Sequence, residues 1–309
     1  MQNHTSHTAG LLRRALTFFA IAFGLLAPAH AAPAFPEFVD PNPSADNGFG
    51  SHVVALSTGN VVITSPRADI GGTDTGAVYL FNGATGALIS TLVGSTESDQ
   101  VGRSGVTALT NGNYVVSSPN WDNGAVADAG AVTWGNGTTG ISGAVSPATS
   151  LVGSTANDVV GFHGVTALTN GNYVVRSQNW SNGTVSAAGA VTWGNGTTGS
   201  SGVVSAANSL VGSTANESVG FPSVTALTNG NYVVSSQYWD NGAVLNVGAV
   251  TWGNGTTGIS GVVSAANSLV GSTANDLVGF RGESAYGSSA KGSSARRRTT
   301  WWASPASSR

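Results

Sequence analysis

The apolar pattern of the chain is periodic on two scales. On the short scale, VTAL and NYVVSS flank Asn111-Gly112, two brief apolar runs around a dipeptide that favours a tight hairpin between Val106 and Ser117. With a two-residue type I′ turn, Thr107, Leu109, Tyr114 and Val116 share one face, and Val106, Ala108, Val115 and Ser117 the other. Both faces are apolar or small, which predicts a hairpin inside a sheet covered on both sides. GAVTW at Gly130 to Trp134 reads as a third strand, Asn136-Gly137 as a second turn, and a fourth strand is expected between Gly143 and Val152. On the long scale, GVTALTNGNYVV at Gly105 returns at Gly164, and as SVTALTNGNYVV at Ser223, with Leu109, Leu168 and Leu227 each 59 residues apart.

A strict repeat decides the fold class. LVGST closes each unit at Val93, Val152, Val211 and Val270, defining units at about 47–100, 101–159, 160–218 and 219–277. The expectation is an all-β chain of four-stranded antiparallel meanders. Such a sheet, apolar on both faces, is not stable alone, and tandem copies bury their faces by packing sheet on sheet around an axis. That is a β-propeller, with four recognisable blades that either close or leave an incomplete ring. The competing architecture is a right-handed β-solenoid, whose coils are shorter, roughly 20 to 30 residues, and need no Asn-Gly hairpin. An incomplete ring leaves unpaired blade edges through which the chain is expected to self-associate.

The flanks differ from the repeats. Arg13 and Arg14 precede an apolar run from Ala15 to Ala27, and Ala29-His30-Ala31 has the small-x-small form of a signal peptidase site, so 1–31 reads as a signal peptide. The expected product is exported: secreted, periplasmic or at the cell surface. The run is too short to span a bilayer, and no later segment reaches the roughly twenty residues required. Residues 32–46 carry Pro33, Pro36, Pro41 and Pro43 and read as an extended lead-in.

Charge narrows the partners. Only 8% of the residues are charged, and between Ala32 and Phe280 the basic ones are Arg67, Arg103 and Arg176, so nucleic acid is not an expected partner. The absence of cysteine excludes disulfides, thiolate metal sites and a cysteine nucleophile.

The first unit resembles the FG-GAP repeat of integrin α-chain propellers and their bacterial relatives. Asn47-Gly48-Phe49-Gly50 enters the unit, VVALSTGNVVITSPRAD follows from Val53 to Asp69 with Ser65-Pro66 in the GxP-like place, and DTGAVYLF runs from Asp74 to Phe81. The other three units look like derived versions of it, similar to long tandem arrays in bacterial surface proteins of the adhesin kind. The resemblance implies a propeller used for binding, often adhesion, with a surface protein or glycan as partner and no chemistry of its own. Where that family often carries a calcium loop of alternating aspartates, this chain has STGN or TNGN, so no metal or other cofactor is expected.

Candidate sites follow from what recurs. Trp121, Trp180 and Trp239, with Asp122 and Asp240 beside the first and last, sit in loops once per unit, and aromatics displayed on one rim can bind a glycan or protein. The alternative is that they plug the gap between units, as Trp134, Trp193 and Trp252 in the strands are expected to do. Asp99, Asp158, Glu217 and Asp276 recur three positions before a glycine, and a carboxylate before a tight turn commonly accepts backbone N–H groups. Single carboxylates on separate units make poor calcium sites. His52 and His163 stand in different units without phased copies, so no catalytic constellation is expected and the chain reads as a non-enzyme. The functional expectation is an exported surface or adhesion-type binding module, with a structural spacer or a truncated remnant as alternatives.

After Phe280 the repeat stops and the composition changes, with Arg296, Arg297, Arg298, Trp301 and Trp302 close together. Read one base earlier, codons for ARRRTTWWAS spell Asn-Asp-Val-Val-Gly, the sequence at Asn157 to Gly161. The tail at 281–309 is therefore expected to be the next repeat out of frame and shortened by a deletion, the other reading being a basic tail for acidic surfaces. The nucleotide sequence checks this: codons that cannot give GSTANDVVG in the shifted frame remove the frame-shift reading.

Overall fold

The computed structural model describes residues 36–280; the proposed leader and the tail lie outside the described residues. Repeat 1 contributes β1 (Val53–Ala55), β2 (Val61–Ser65), β3 (Ala77–Phe81) and β4 (Leu88–Val93). Repeat 2 contributes β5 (Val106–Ala108), β6 (Tyr114–Ser118), β7 (Ala131–Gly135), β8 (Gly143–Ala144) and β9 (Ser150–Val152). In repeat 3 the same places are taken by β10 (Val165–Ala167), β11 (Tyr173–Ser177), β12 (Ala190–Gly194), β13 (Gly202–Val203) and β14 (Ser209–Val211). Repeat 4 has β15 (Val224–Ala226), β16 (Tyr232–Ser236), β17 (Ala249–Gly253), β18 (Gly261–Val262) and β19 (Ser268–Val270).

Each repeat builds a four-stranded antiparallel meander, as its pattern predicts. The stretch expected to hold one fourth strand holds two short ones instead. β9 completes its own sheet beside β7, while β8 crosses to the preceding repeat and pairs in parallel with β4. β13 does the same to β9, and β18 to β14. Three sheets therefore have five strands, and the fourth, ordered β15-β16-β17-β19, has four.

The hairpin register differs from the expected one. Val106 faces Val116 and Ala108 faces Tyr114, so Val106, Ala108, Tyr114 and Val116 share a face, with Thr107, Leu109 and Val115 opposite. The cause is the turn. Gly112 N–H donates to the Leu109 carbonyl (3.1 Å), Leu109 N–H donates to the Asn113 carbonyl (2.8 Å), and Gly112 alone is left-handed, at φ +88°. This is a three-residue loop, a type I turn closed by a left-handed glycine, and one extra loop residue flips every side chain of one strand relative to the other.

The faces are buried between repeats. Val62, Val78, Leu80 and Leu92 of repeat 1 pack against Tyr114, Val116, Trp121, Ala131 and Val152 of repeat 2. Equivalent clusters join repeats 2 and 3, and 3 and 4. The first strands of the four sheets neighbour one another in order, β1 beside β5, β5 beside β10, β10 beside β15. None of the four sheets closes on itself, and among the described residues no core cluster joins repeat 4 back to repeat 1. No helix among the described residues is long and apolar enough to cross a membrane.

The two ends are finished differently. Repeat 1 has no predecessor, and its back face of Ile63, Ala77, Tyr79 and Phe81 is covered by the lead-in. Phe38 sits edge-on to Phe81 at 5.5 Å, Phe49 packs on Tyr79 at 5.9 Å, and Asn42 Nδ2 donates to the Tyr79 hydroxyl at 3.2 Å. Among the described residues repeat 4 has no such cover: Leu269 is 56% exposed, whereas its counterparts Leu151 and Leu210 are buried. Phe38→Ala is expected to lower stability by about 1 to 3 kcal/mol, less than a fully buried ring because Phe38 is half-buried, and neighbouring Val39→Ala by under about 0.5 kcal/mol. Urea melts of the two variants check this.

Candidate interaction surfaces around the repeat junctions

Every junction is held by three polar devices, each with one partner in each repeat. The first is the phased carboxylate. Asp158 Oδ2 accepts from the backbone N–H groups of Ser154 (2.9 Å) and Thr155 (2.8 Å) in its own repeat, and Oδ1 from Ser181 N–H in the next (2.9 Å). Asp99 repeats the arrangement with Ser95, Thr96 and Asp122, and Glu217 with Ser213, Thr214 and Asp240. Asp99, Asp158 and Glu217 are buried. Burial pushes the Asp158 carboxyl above its usual range, against the pull of the N–H groups of Ser154, Ser181 and Thr155.

The second device explains the TNGN turn. Asn111 Nδ2 (2.7 Å), Asn113 Nδ2 (2.8 Å) and Trp134 Nε1 (3.0 Å) all donate to the Gly196 carbonyl of the following repeat. Asn170, Asn172 and Trp193 converge in the same way on the Gly255 carbonyl. The third device is the parallel strand sent backwards, where Val145, Val204 and Val263 N–H groups donate to the carbonyls of Val93, Val152 and Val211.

These devices place the residues singled out by sequence. Trp121, Trp180 and Trp239 are 2, 3 and 4% exposed, packed in the clusters between repeats. The display of these indoles on a rim is therefore corrected: a stacking platform needs an open ring face, and theirs are covered by the preceding sheet. Asp122 Oδ1 accepts from Asp128 N–H (2.8 Å) and Asp240 Oδ1 from Asn246 N–H (2.7 Å), so both carboxylates fold their own loops. Trp134 and Trp193 fill junctions as expected, but Trp252, beside which the described residues place no further repeat, is exposed. His52 lies against Thr64 and His163 against Asn179, in separate repeats. Burial lowers the pKa of His163, the Asn179 hydrogen bond opposes it, and the Arg176 charge adds to it. Among the described residues no group of three His, Cys, Asp or Glu is arranged to hold a metal ion.

Different aromatics are displayed. Phe162, Phe221 and Phe280 are 59 residues apart and occupy one position of the turn that enters each unit, where the N–H donates to the carbonyl three residues back. Phe162 and Phe280 are 57 and 63% exposed, and Phe221 stacks on Tyr238 with centroids 5.3 Å apart. Arg103 holds this position at the first junction and, with Arg67, Gln100, Gly48, Ser51 and Pro66, lines a cavity of about 330 Å³. The sequence carries the signal in the phased VGF triplets at Val160, Val219 and Val278.

Meanders stacked through shared junctions, each unit lending a strand to its predecessor, define a tandem β-repeat protein. The chain belongs to the family described as a repeat of unknown function (DUF5650). Its model matches residues 55–103, 108–162, 167–221 and 226–280, together more than half of the chain. No curated protein matches it. The matched segments begin at the first strand of each sheet and end at the phenylalanine turn or, in the first, at Arg103.

The carboxylate device makes a specific prediction. Asp158→Asn turns one acceptor into a donor facing backbone N–H groups, and is expected to cost about 1 to 3 kcal/mol although it removes a buried charge. Asp276→Asn, at an exposed carboxylate with no following repeat, should stay within about 0.5 kcal/mol. The raised folded pKa of Asp158 means that the native state holds its proton to higher pH than the unfolded chain. The Asp158 contribution to stability is thus fully present below the unfolded pKa and lost as pH rises through the folded one. Urea melts across the acidic range check both points: the wild type should carry this acid-side gain and Asp158→Asn should lack it.

Proposed function

We propose that the chain is an exported, non-enzymatic binding module of the surface or adhesion type, its units FG-GAP-like blades set around an axis as in a propeller. The observation that carries the binding reading is the row of phenylalanines on equivalent turns 59 residues apart, Phe162 and Phe280 exposed and Phe221 half-buried against Tyr238. Aromatic rings at a fixed interval on a rigid scaffold suit sugar rings or apolar side chains of a partner. Tyr238 extends the row with a hydroxyl, and the Arg67–Arg103 cavity gives one end a preference for acidic groups. The non-enzymatic reading is supported by how the reactive side chains are used. Asp99, Asp158 and Glu217, the phased carboxylates, are each committed to backbone N–H groups of two repeats rather than held free as an acid or base.

A second reading, a structural spacer, is favoured by the same economy, since the phased polar groups serve the junctions. The two readings separate on one experiment. The exported chain is expected to be retained on a printed array of neutral and uronic oligosaccharides. Phe162→Ala with Phe280→Ala should lower that retention by at least about tenfold, with stability moved by less than about 0.5 kcal/mol per site. Trp180→Ala, at a buried ring, should instead lower the melt by about 3 to 5 kcal/mol. Retention that survives the double substitution, or a wild-type chain that binds nothing on the array, sinks the glycan-binding reading in favour of the spacer.

A further inference from the structure

We propose that the open face of repeat 4 is an isologous interface at which two copies of this chain pair. The face is built by Leu227, Val233, Val250, Trp252 and Leu269, the positions that in repeats 2 and 3 are covered by the next repeat. Leu168, Val174, Val191 and Leu210 are completely buried, whereas Leu269 is 56% and Trp252 43% exposed. The polar fittings of a junction are present as well. Trp193 Nε1 and the Asn170 and Asn172 amides donate to Gly255, while among the described residues Trp252 Nε1 and the Nδ2 groups of Asn229 and Asn231 donate to nothing. The Val93, Val152 and Val211 carbonyls each receive a strand from the following repeat; among the described residues Val270 receives none.

The occupant follows by comparing what each candidate supplies. An added repeat would present a back face, but in a second copy the back faces of repeats 2 to 4 are covered by their predecessors, and that of repeat 1 by Phe38 and Phe49. Head-to-tail stacking is therefore blocked. The chain's own segment 281–309 has Tyr286, Trp301 and Trp302 but no Val, Leu, Ile, Phe or Met, and it carries six basic residues for which the uncharged strands of this face offer no acidic partner. What a second copy does expose is the same face of its own fourth repeat. The strands that build it, β15, β16, β17 and β19, contain no charged residue, so self-approach meets no like-charge repulsion there. The face carries both free donors (Asn229, Asn231, Trp252) and a free acceptor (Val270), the requirement for a surface that is complementary to itself across a two-fold axis.

The test is light scattering after size exclusion on the full exported chain, between about 1 and 100 µM. The expected result is a monomer–dimer equilibrium that reaches the dimer mass in this range, and a weakening of at least about tenfold in Leu269→Asp. Thr225→Arg is the second variant, because Thr225 is already exposed on the same face and a charge there is compatible with folding; it should weaken the dimer likewise while keeping the wild-type circular dichroism spectrum. Val244→Asp, exposed in a loop away from this sheet, should leave the dimer unchanged. A wild-type chain that stays monomeric at the highest concentration overturns the proposal, as does a dimer indifferent to both Leu269→Asp and Thr225→Arg. A monomeric full chain whose version ending at Phe280 dimerises also overturns it, and assigns the face to the tail.

Discussion

The interaction on which the rest of this structure depends is the buried carboxylate at each junction. An anionic oxygen removed from water is costly unless N–H groups replace the water. Asp158 obtains two of its donors, Ser154 and Thr155, from its own turn, and the third, Ser181, from the next repeat. A repeat folded without its successor would bury this carboxylate incompletely or leave it in solvent, as at exposed Asp276. The Gly196 carbonyl and the Val152 carbonyl obey the same rule, since each pairs with donors across the junction. Stability in this chain therefore resides between units more than within them, the nearest-neighbour behaviour of repeat proteins. The geometry tolerates some variation in reach: Glu217 satisfies Ser213 and Thr214 as an aspartate does, but its bond to Asp240 N–H lengthens to 3.3 Å from the 2.9 Å of the aspartates.

A stack of such units has two ends with different needs. The back face of the first unit lacks a predecessor, and the chain meets this with an aromatic lead-in rather than a polar surface: Phe38 and Phe49 stand in for the neighbouring sheet against Tyr79 and Phe81. At the other end the forward face keeps the side chains of an interior junction. Val233 and Val250, half-buried where Val174 and Val191 are fully buried, record the missing neighbour as clearly as Leu269 does.

The number of repeats, their strands and the sheet-on-sheet burial were legible in the sequence because they rest on local apolar pattern and on period. The register was not. Asn-Gly is compatible with a two-residue loop and with a three-residue loop closed by a left-handed glycine, and these differ by one residue of pairing. The same three-residue loop forms in repeat 4, where Leu227 N–H donates to the Asn231 carbonyl although Asn229 Nδ2 has no partner among the described residues, so the long-range amide bond accompanies the turn and the dipeptide alone does not report its register. β8 escaped because Gly143 and Ala144 have no strand pattern and pair with another repeat. The structural role of the phased carboxylates was readable because a carboxylate two to four residues beyond Ser-Thr finds its donors locally. Loop tryptophans carry no such cue: alternation indicates facing in a strand, and Trp121, Trp180 and Trp239 lie outside strands.

Comparing the units with one another separates what the junction fixes from what it leaves free. Tyr114, Trp121, Trp134 and their copies are identical in repeats 2 to 4, and all but Trp252 lie in a junction. Among the positions that change are those on or beside the entering turn: Arg103, Phe162 and Phe221; Ser104, His163 and Pro222; Asn120, Asn179 and Tyr238. Interior positions are held because each must satisfy partners in two repeats at once, and a change in one unit would require a matching change in its neighbour. Turn positions are less constrained: their contacts, such as Phe221 stacked on Tyr238 or the Pro222 carbonyl accepting from Arg176, are particular to single places in the stack and are not repeated at every junction. Any discrimination this scaffold makes between partners must therefore be built from those turn residues, whose chemistry passes from guanidinium and amide at the first junction to stacked aromatic rings in the fourth unit.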